Sequence, residues 1–193
     1  MEKAKIVLLG FVFSLIVFLL CIKSAFFEVE NEKQRQVIDF LFGKDDHGLN
    51  FSKSEIEHLI EVKGFVFIGR ILLFCLLASF LGFLIVGIAN RKEQLFLYGG
   101  IFGAVILLFG FVAMLGFDQS FELMHRLFFK TQWRFSEDSL LIKTFPYEFF
   151  IERAKMILFR FSVFVISCFA ISFLLRRVSA VHRKACYFLK RLS

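Results

Sequence analysis

Two histidines lie in polar stretches that border long apolar segments. His58 belongs to SKSEIEHLIEVK (Ser52–Lys63), and His125 belongs to DQSFELMHRLFFKTQW (Asp118–Trp133). An imidazole has an ordinary pKa of about 6.5, so it can take up or release a proton near neutral pH. Two such rings at a boundary between lipid and water are suited to proton transfer on a lipid substrate. The sequence therefore indicates acid–base chemistry at a membrane surface.

Carboxylates stand at helical spacing from both histidines. Glu55 and Glu61 lie three residues before and after His58, and Glu122 lies three residues before His125. On a helix, this spacing lets a carboxylate hold one ring nitrogen and leave the other free. We therefore predict two oriented, basic imidazoles. The alternative is two unrelated interfacial histidines, because Glu and His at this spacing are common in helices.

Local patterns place these residues on helices. A capping box at Ser54–Glu57 predicts the start of a helix that carries His58 and runs into the next apolar segment. Upstream, Glu28–Phe42 has the pattern of a short amphipathic helix on the membrane surface. Between the two, Gly43–Asn50 is a turn-rich break, and we interpret its His47 as a solvated loop histidine.

The composition predicts an integral membrane protein. Of the 193 residues 58% are hydrophobic, and the chain has 31 phenylalanines but one proline. A helix crosses a hydrocarbon core of about 30 Å with roughly 20 apolar residues. We predict an all-α membrane protein, a single domain over 1–193 that forms a four-transmembrane-helix bundle with an outer cap. The spans are predicted at about 6–22, 64–89, 95–117 and 156–175, and the polar cap segments at 23–63 and 118–155.

The basic residues that flank the spans predict the orientation. They cluster at the N-terminus (Lys3, Lys5), in a short turn (Arg91, Lys92) and in the tail 176–193. Cytoplasmic loops are enriched in such residues, so we predict a multi-pass cell-membrane protein with both termini cytoplasmic and the cap extracytoplasmic. The basic tail would lie against anionic lipid. This topology accounts for the net charge of +7, and we predict no nucleic-acid partner.

Two arginines lie inside predicted spans. Arg70 and Arg160 would both sit one to two turns below the outer surface, where a charged side chain is costly without a partner or a wet cavity. They could bind a lipid ester or head group, stabilise a developing oxyanion, or pair with carboxylates. The residues alone leave these alternatives open.

The cysteines and glycines indicate no metal or cofactor site. All four cysteines lie outside the two cap segments, which predicts no structural disulfide there (Cys21, Cys75, Cys168 and Cys186). No Cys and His spacing matches a zinc site, and no phosphate-binding glycine loop is present. We therefore predict that the protein needs no metal and no cofactor.

Several segments together resemble a known family. The chain is similar to the four-span bacterial lipoprotein intramolecular transacylases in the order and placement of four stretches. They are HLIEVK (His58–Lys63) directly before a span, FELMHRLFF (Phe121–Phe129), TQW (Thr131–Trp133) and LLIKTFPYEFF (Leu140–Phe150). The resemblance covers most of the chain.

The resemblance implies a specific activity. Family members move the sn-2 acyl chain of a diacylglyceryl-modified N-terminal cysteine to the α-amino group of that cysteine, which gives a lyso-form lipoprotein without an external acyl donor. The implied partners are diacylglyceryl-modified lipoproteins and membrane lipids, and the implied essential histidines are His58 and His125. The chain departs from the family where Glu61 replaces the usual Asp and where Met124 replaces a common aromatic residue.

These implications suggest roles for the site residues. Our hypothesis makes His125 the general base and His58, oriented by Glu61, the acid or electrostatic partner. The reverse assignment and an acyl-histidine intermediate remain open alternatives. The predicted substrate contacts are Lys63, Arg70, Arg160 and Trp133.

A different class of function competes with this interpretation. A small polytopic protein with amphipathic outer segments could be a non-catalytic lipid-binding protein or a membrane-protein assembly factor. A zinc hydrolase is less well supported, because the metal ligands are too few. A transporter is less well supported, because four spans without paired broken helices do not fit that class.

Overall fold

The fold is built from helices alone over the part of the chain that is described. In a computed structural model of the protein, residues 2–43, 50–85 and 92–192 are described, and they contain seven helices and no strand. The helices are α1 (Glu2–Phe27), α2 (Glu32–Leu41), α3 (Lys53–Ile85), α4 (Lys92–Leu115), α5 (Phe117–Phe128), α6 (Leu140–Thr144) and α7 (Tyr147–Leu192). Four of them, α1, α3, α4 and α7, are long and apolar enough to cross a membrane. The predicted all-α architecture with four membrane helices is confirmed.

Two of the long helices extend ten or more residues beyond one end of the predicted span. α3 begins at Lys53, so His58 and the second apolar segment share one continuous helix. α7 begins directly after Pro146 and continues through the predicted tail to Leu192. No proline interrupts either stretch, which leaves each helix free to continue past the apolar residues.

The capping box of α3 lies two residues before the predicted one. The backbone N–H of Ser52 donates to the Glu55 carboxylate over 2.7 Å, and the N–H of Glu55 donates to the Ser52 hydroxyl over 3.4 Å. The prediction of a box at Ser54–Glu57 is therefore wrong. The sequence contains the Ser-x-x-Glu spacing twice in SKSEIE, and only the first copy lies where α3 begins.

The membrane helices pack closely where small residues meet. The hydroxyl of Ser14 on α1 lies 2.6 Å from the carbonyl oxygen of Gly99 on α4. A Cβ atom added to Gly10 would lie 2.9 Å from the backbone nitrogen of Gly99, which leaves room for glycine alone. Small residues allow such close helix contacts in membranes.

The cap covers one end of these helices with an apolar cluster. Its buried members come from α2, α3, α6 with the residue that follows it, and the start of α7 (Val37, Phe40, Leu59, Leu141, Phe145 and Phe149). Polar contacts join the same elements. The Gln34 amide donates to the carbonyl of Thr144 over 2.9 Å, and the buried Glu55 carboxylate accepts from the N–H of Leu141 over 2.8 Å. The cap thus holds the beginning of α3, which carries His58, in a packed setting. His47 lies outside the described residues.

Candidate active site

The two histidines meet beneath the cap. His58 on α3 and His125 on α5 are both buried, with exposed fractions of 6% and 8%. Their ring centroids are 5.9 Å apart, and their planes differ by 22°. Residues 67 positions apart in the chain are thereby brought to one site, where a single small group can contact both rings.

Aromatic side chains enclose the imidazole pair. The Phe129 ring contacts both histidines, at 4.9 Å from His58 and 5.2 Å from His125 between centroids. The remaining rings around the pair lie 4.2 to 5.8 Å from one histidine each (Phe121, Trp133 and Phe135). An apolar wall of this kind excludes water and strengthens the electrostatic interactions inside it.

A backbone contact sets the tautomer of His125. Its Nδ1 lies 2.8 Å from the carbonyl oxygen of Phe121, one helical turn earlier. A carbonyl only accepts hydrogen bonds, so Nδ1 carries a proton and Nε2 of the neutral ring is the basic nitrogen. Burial lowers the pKa of His125, and the hydrogen bond to Phe121 offsets part of that effect. The ring is therefore neutral and ready to accept a proton at pH 7.

The neighbouring carboxylates do not hold the imidazoles. Nδ1 of His58 is buried and has no hydrogen-bond partner in the described part of the chain, although Glu55 and Glu61 stand at helical spacing from it. Glu122 bonds to the guanidinium groups of Arg126 and Arg134. The prediction that these carboxylates bond to the rings is wrong, because each of them accepts hydrogen bonds from backbone N–H groups or from guanidinium groups instead.

Glu61 instead joins α3 to the loop that follows α5. Its carboxylate accepts hydrogen bonds from the N–H of Lys130 at 3.1 Å, from the N–H of Thr131 at 3.1 Å and from the Thr131 hydroxyl at 2.7 Å. Hydrogen bonds to a charged acceptor are about twice as strong as neutral ones. Because the loop begins at Phe129, beside both imidazoles, this contact fixes the two histidine-bearing helices relative to each other.

The predicted substrate contacts divide into two groups. Trp133 lies at the site, 4.9 Å from the His125 ring. Lys63 and Arg70 lie instead beside α2, with the Lys63 ammonium 4.0 Å from the Phe40 ring centre and Arg70 donating to the Phe42 carbonyl over 3.2 Å. Seven residues on one helix make two turns, so these two basic residues share a face, and it is not the face of His58.

Arg160 has structural partners. It donates to the Ser24 hydroxyl over 2.9 Å and pairs with Glu28, in the segment between α1 and α2. Nearby Arg153 is buried and pairs with Glu30 at 3.0 Å. Arg160 therefore pairs with a carboxylate, which is one of the alternatives that the sequence left open for the two arginines inside the predicted spans.

Two residues at the site were missed by sequence reasoning. Thr131 completes the Glu61 contact, and the Phe129 ring contacts both histidines. Thr131 belongs to the TQW stretch that resembles the transacylase family, so that stretch carried a signal for it. Phe129 ends the FELMHRLFF stretch that resembles the same family, but it lies among other apolar residues there and the pattern assigned it no role.

Comparison with known proteins bears on this site. A family described as "Lipoprotein intramolecular transacylase Lit" matches residues 25–150, which include both histidines, Glu61 and Trp133. The chain belongs to the Lit family. The protein is therefore a multi-pass membrane acyltransferase that carries out lipoprotein transacylation, and the resemblance drawn from the sequence is confirmed.

Solved structures of Lit show the same fold. The membrane-integral lipoprotein intramolecular transacylase Lit from Bacillus cereus superimposes with a TM-score of 0.81, at 18% identity over 94% of this chain and 98% of that chain. A structure of the same Bacillus cereus protein with one histidine replaced by alanine superimposes with a TM-score of 0.77, at 16% identity over 94% and 96% of the two chains. No curated protein sequence matches the chain.

Proposed function

We propose that this member of the Lit family transfers the sn-2 acyl chain of a diacylglyceryl-cysteine lipoprotein to the α-amino group of the same cysteine. The observation that carries the proposal is the buried pair of imidazoles 5.9 Å apart in a chain of the Lit family. Amine and ester belong to one molecule, so a rigid site that bends the glyceryl arm supplies much of the rate by orientation.

The chemistry assigns one proton transfer to each ring. Nε2 of His125 accepts a proton from the α-ammonium group, and the free amine attacks the sn-2 ester carbonyl. A C–N bond forms, the C–O bond of the ester breaks, and His58 transfers the remaining ammonium proton of the tetrahedral intermediate to the departing alkoxide oxygen. The tautomer set by the Phe121 carbonyl supports His125 as the base. The reverse assignment and an acyl-histidine intermediate are alternatives for the same pair of rings.

We also propose the orientation of the site in the membrane. Both termini are cytoplasmic and the histidine pair faces the extracytoplasmic side. The basic N-terminal residues and the basic end of α7 support this orientation. The non-catalytic alternative has no comparable support, because the family consists of enzymes.

Expression in a bacterium that lacks lipoprotein N-acylation tests the function. The N-terminal peptide of a lipoprotein should gain an amide-linked acyl chain and lose the sn-2 ester, with no change in total mass, as fragment-ion mass spectrometry can show. Host cells with an empty vector provide the control. Lipoproteins that keep a free α-amine in cells that contain the inserted protein would exclude the proposed transfer.

The pKa of His125 leads to a prediction about pH. Because burial lowers this pKa below the ordinary value of about 6.5, the ring stays neutral, and able to act as base, until the pH falls below that value. The activity should therefore decline on the acid side only below pH 6.5. Initial rates measured on a diacylglyceryl lipopeptide from pH 5 to 8 at constant ionic strength would check it. An acid limb centred above pH 6.5 would contradict the prediction, provided that the protein stays folded over this range.

A further inference from the structure

A basic groove opens from the polar edge of the histidine site. It has a volume of about 400 Å³ and is lined by Arg126, Lys130, Thr131, Gln132, Trp133 and Arg134. Trp133 joins the groove to the site, since its ring lies 4.9 Å from His125 on one side and 4.9 Å from the Arg134 guanidinium on the other. The groove therefore adjoins the histidine pair through Trp133.

The charges of the groove are unbalanced. Arg126 and Arg134 share one carboxylate, that of Glu122, and the side chains of both arginines are 66% exposed. Lys130 is exposed and has no carboxylate partner for its ammonium group within the described residues. Two carboxylates, Glu122 and the Glu61 group that binds the loop backbone, stand against three cations, so the groove keeps a net positive charge that attracts acidic groups.

The walls of the groove are held in place. The N–H groups of Lys130 and Thr131 are fixed by Glu61, and the Gln132 side chain donates to the Arg134 carbonyl over 3.0 Å. A loop that is ordered before binding loses less entropy when a ligand arrives. These contacts distinguish the groove from a set of lysines and arginines on a mobile surface.

We propose that this groove binds the polypeptide that follows the modified cysteine of the lipoprotein and favours acidic side chains near its N-terminus. The inference rests on the proposed function, which places the amine and ester of that cysteine at the histidine pair. The acyl chains extend into lipid, so the polypeptide must leave the site on its polar side. The alternative occupant of the groove is the anionic head group of a membrane phospholipid, and its presence there would block the exit of the polypeptide.

Competition between synthetic lipopeptides tests the preference. Diacylglyceryl lipopeptides that differ only in two residues after the cysteine, Asp-Asp, Ser-Ser or Lys-Lys, would be assayed with the full-length protein in neutral phosphatidylcholine vesicles. The KM for Asp-Asp should be about three- to ten-fold below that for Lys-Lys, as expected for two exposed charge pairs, with a similar kcat. Equal KM values for the three lipopeptides would overturn the inference. Conversion of the lipopeptides would still support the proposed function, so the two failures can be told apart.

Charge reversal separates recognition from a structural role. Lys130→Glu keeps the backbone N–H that Glu61 binds, and it should reverse the preference toward Lys-Lys. Lys33→Glu, at an exposed lysine of α2 outside the groove, should leave the preference unchanged. The readout is the ratio of KM values, so a general loss of activity cannot imitate it.

Membrane composition tests the competing ligand. If the groove bound anionic head groups, the Lys130→Glu variant would lose activity equally on all three lipopeptides, and the loss would grow with the fraction of anionic phospholipid. That result would overturn the inference. An unreversed preference in Lys130→Glu at neutral composition would overturn it as well.

Discussion

Replacing His125 with alanine is expected to lower the conversion of a diacylglyceryl lipopeptide by about 10²- to 10⁴-fold, the usual contribution of a positioned acid or base. The variant loses the basic Nε2 but keeps the helix, because alanine favours helical structure. His58→Ala should lower the conversion of the lipopeptide by a comparable factor. If the rings act as a unit, the double variant should be little worse than either single one.

The chain offers a matched control for this experiment. His182 lies on α7, roughly 50 Å along the helix axis from the Tyr147 end that packs in the cap. His182→Ala should convert the lipopeptide at the normal rate. Full activity of both His58→Ala and His125→Ala, in protein that is inserted and stable, would remove the catalytic hypothesis for the pair.

Replacing Glu61 with glutamine is expected to lower the rate by about 10- to 100-fold. The change removes a charged acceptor, and hydrogen bonds to charged groups contribute about 1.5 to 3 kcal/mol each. The new amide nitrogen would also face backbone donors of Lys130 and Thr131. We expect the loop to shift and the distance between the two imidazoles to change, so that kcat falls. The pH at which the rate declines on the acid side depends on the pKa of His125 and should not change.

A double-mutant cycle checks that Glu61 acts through Thr131. Thr131→Val removes the hydroxyl that donates to Glu61 over 2.7 Å, and its effect should be smaller after Glu61→Gln than before it. Glu57→Gln, one turn earlier on the exposed side of α3, should have no effect. Independent, additive effects of the Glu61 and Thr131 changes would contradict the positioning role.

The location of the site was predictable because its signals are local. Hydropathy identified four membrane helices, and the polar stretches beside them carried His58 and His125. Helix ends were less predictable, since SKSEIE contains two overlapping Ser-x-x-Glu spacings, and the one that forms uses a Glu55 carboxylate that also accepts from the distant N–H of Leu141.

The partners of each side chain depended on contacts distant in sequence. Spacing along a helix decides which residues share a face, so it placed Glu61 near His58. It could not show that Thr131, 70 residues away, would donate hydrogen bonds to the Glu61 carboxylate. For the same reason it could not show that the Lys63 ammonium would lie over the Phe40 ring or that Arg70 would donate to the Phe42 carbonyl.

The sequence by itself determined that this protein is a membrane-embedded bundle of four long helices with two histidines beside its spans. Hydrophobicity and helical periodicity are properties of short segments, which need no partner to be recognised. Only the tertiary structure decided that the rings stand 5.9 Å apart, that the Phe121 carbonyl sets the tautomer of His125, and that Glu61 binds a loop. Those outcomes result from competition among all nearby donors and acceptors, and that competition is settled when the chain folds.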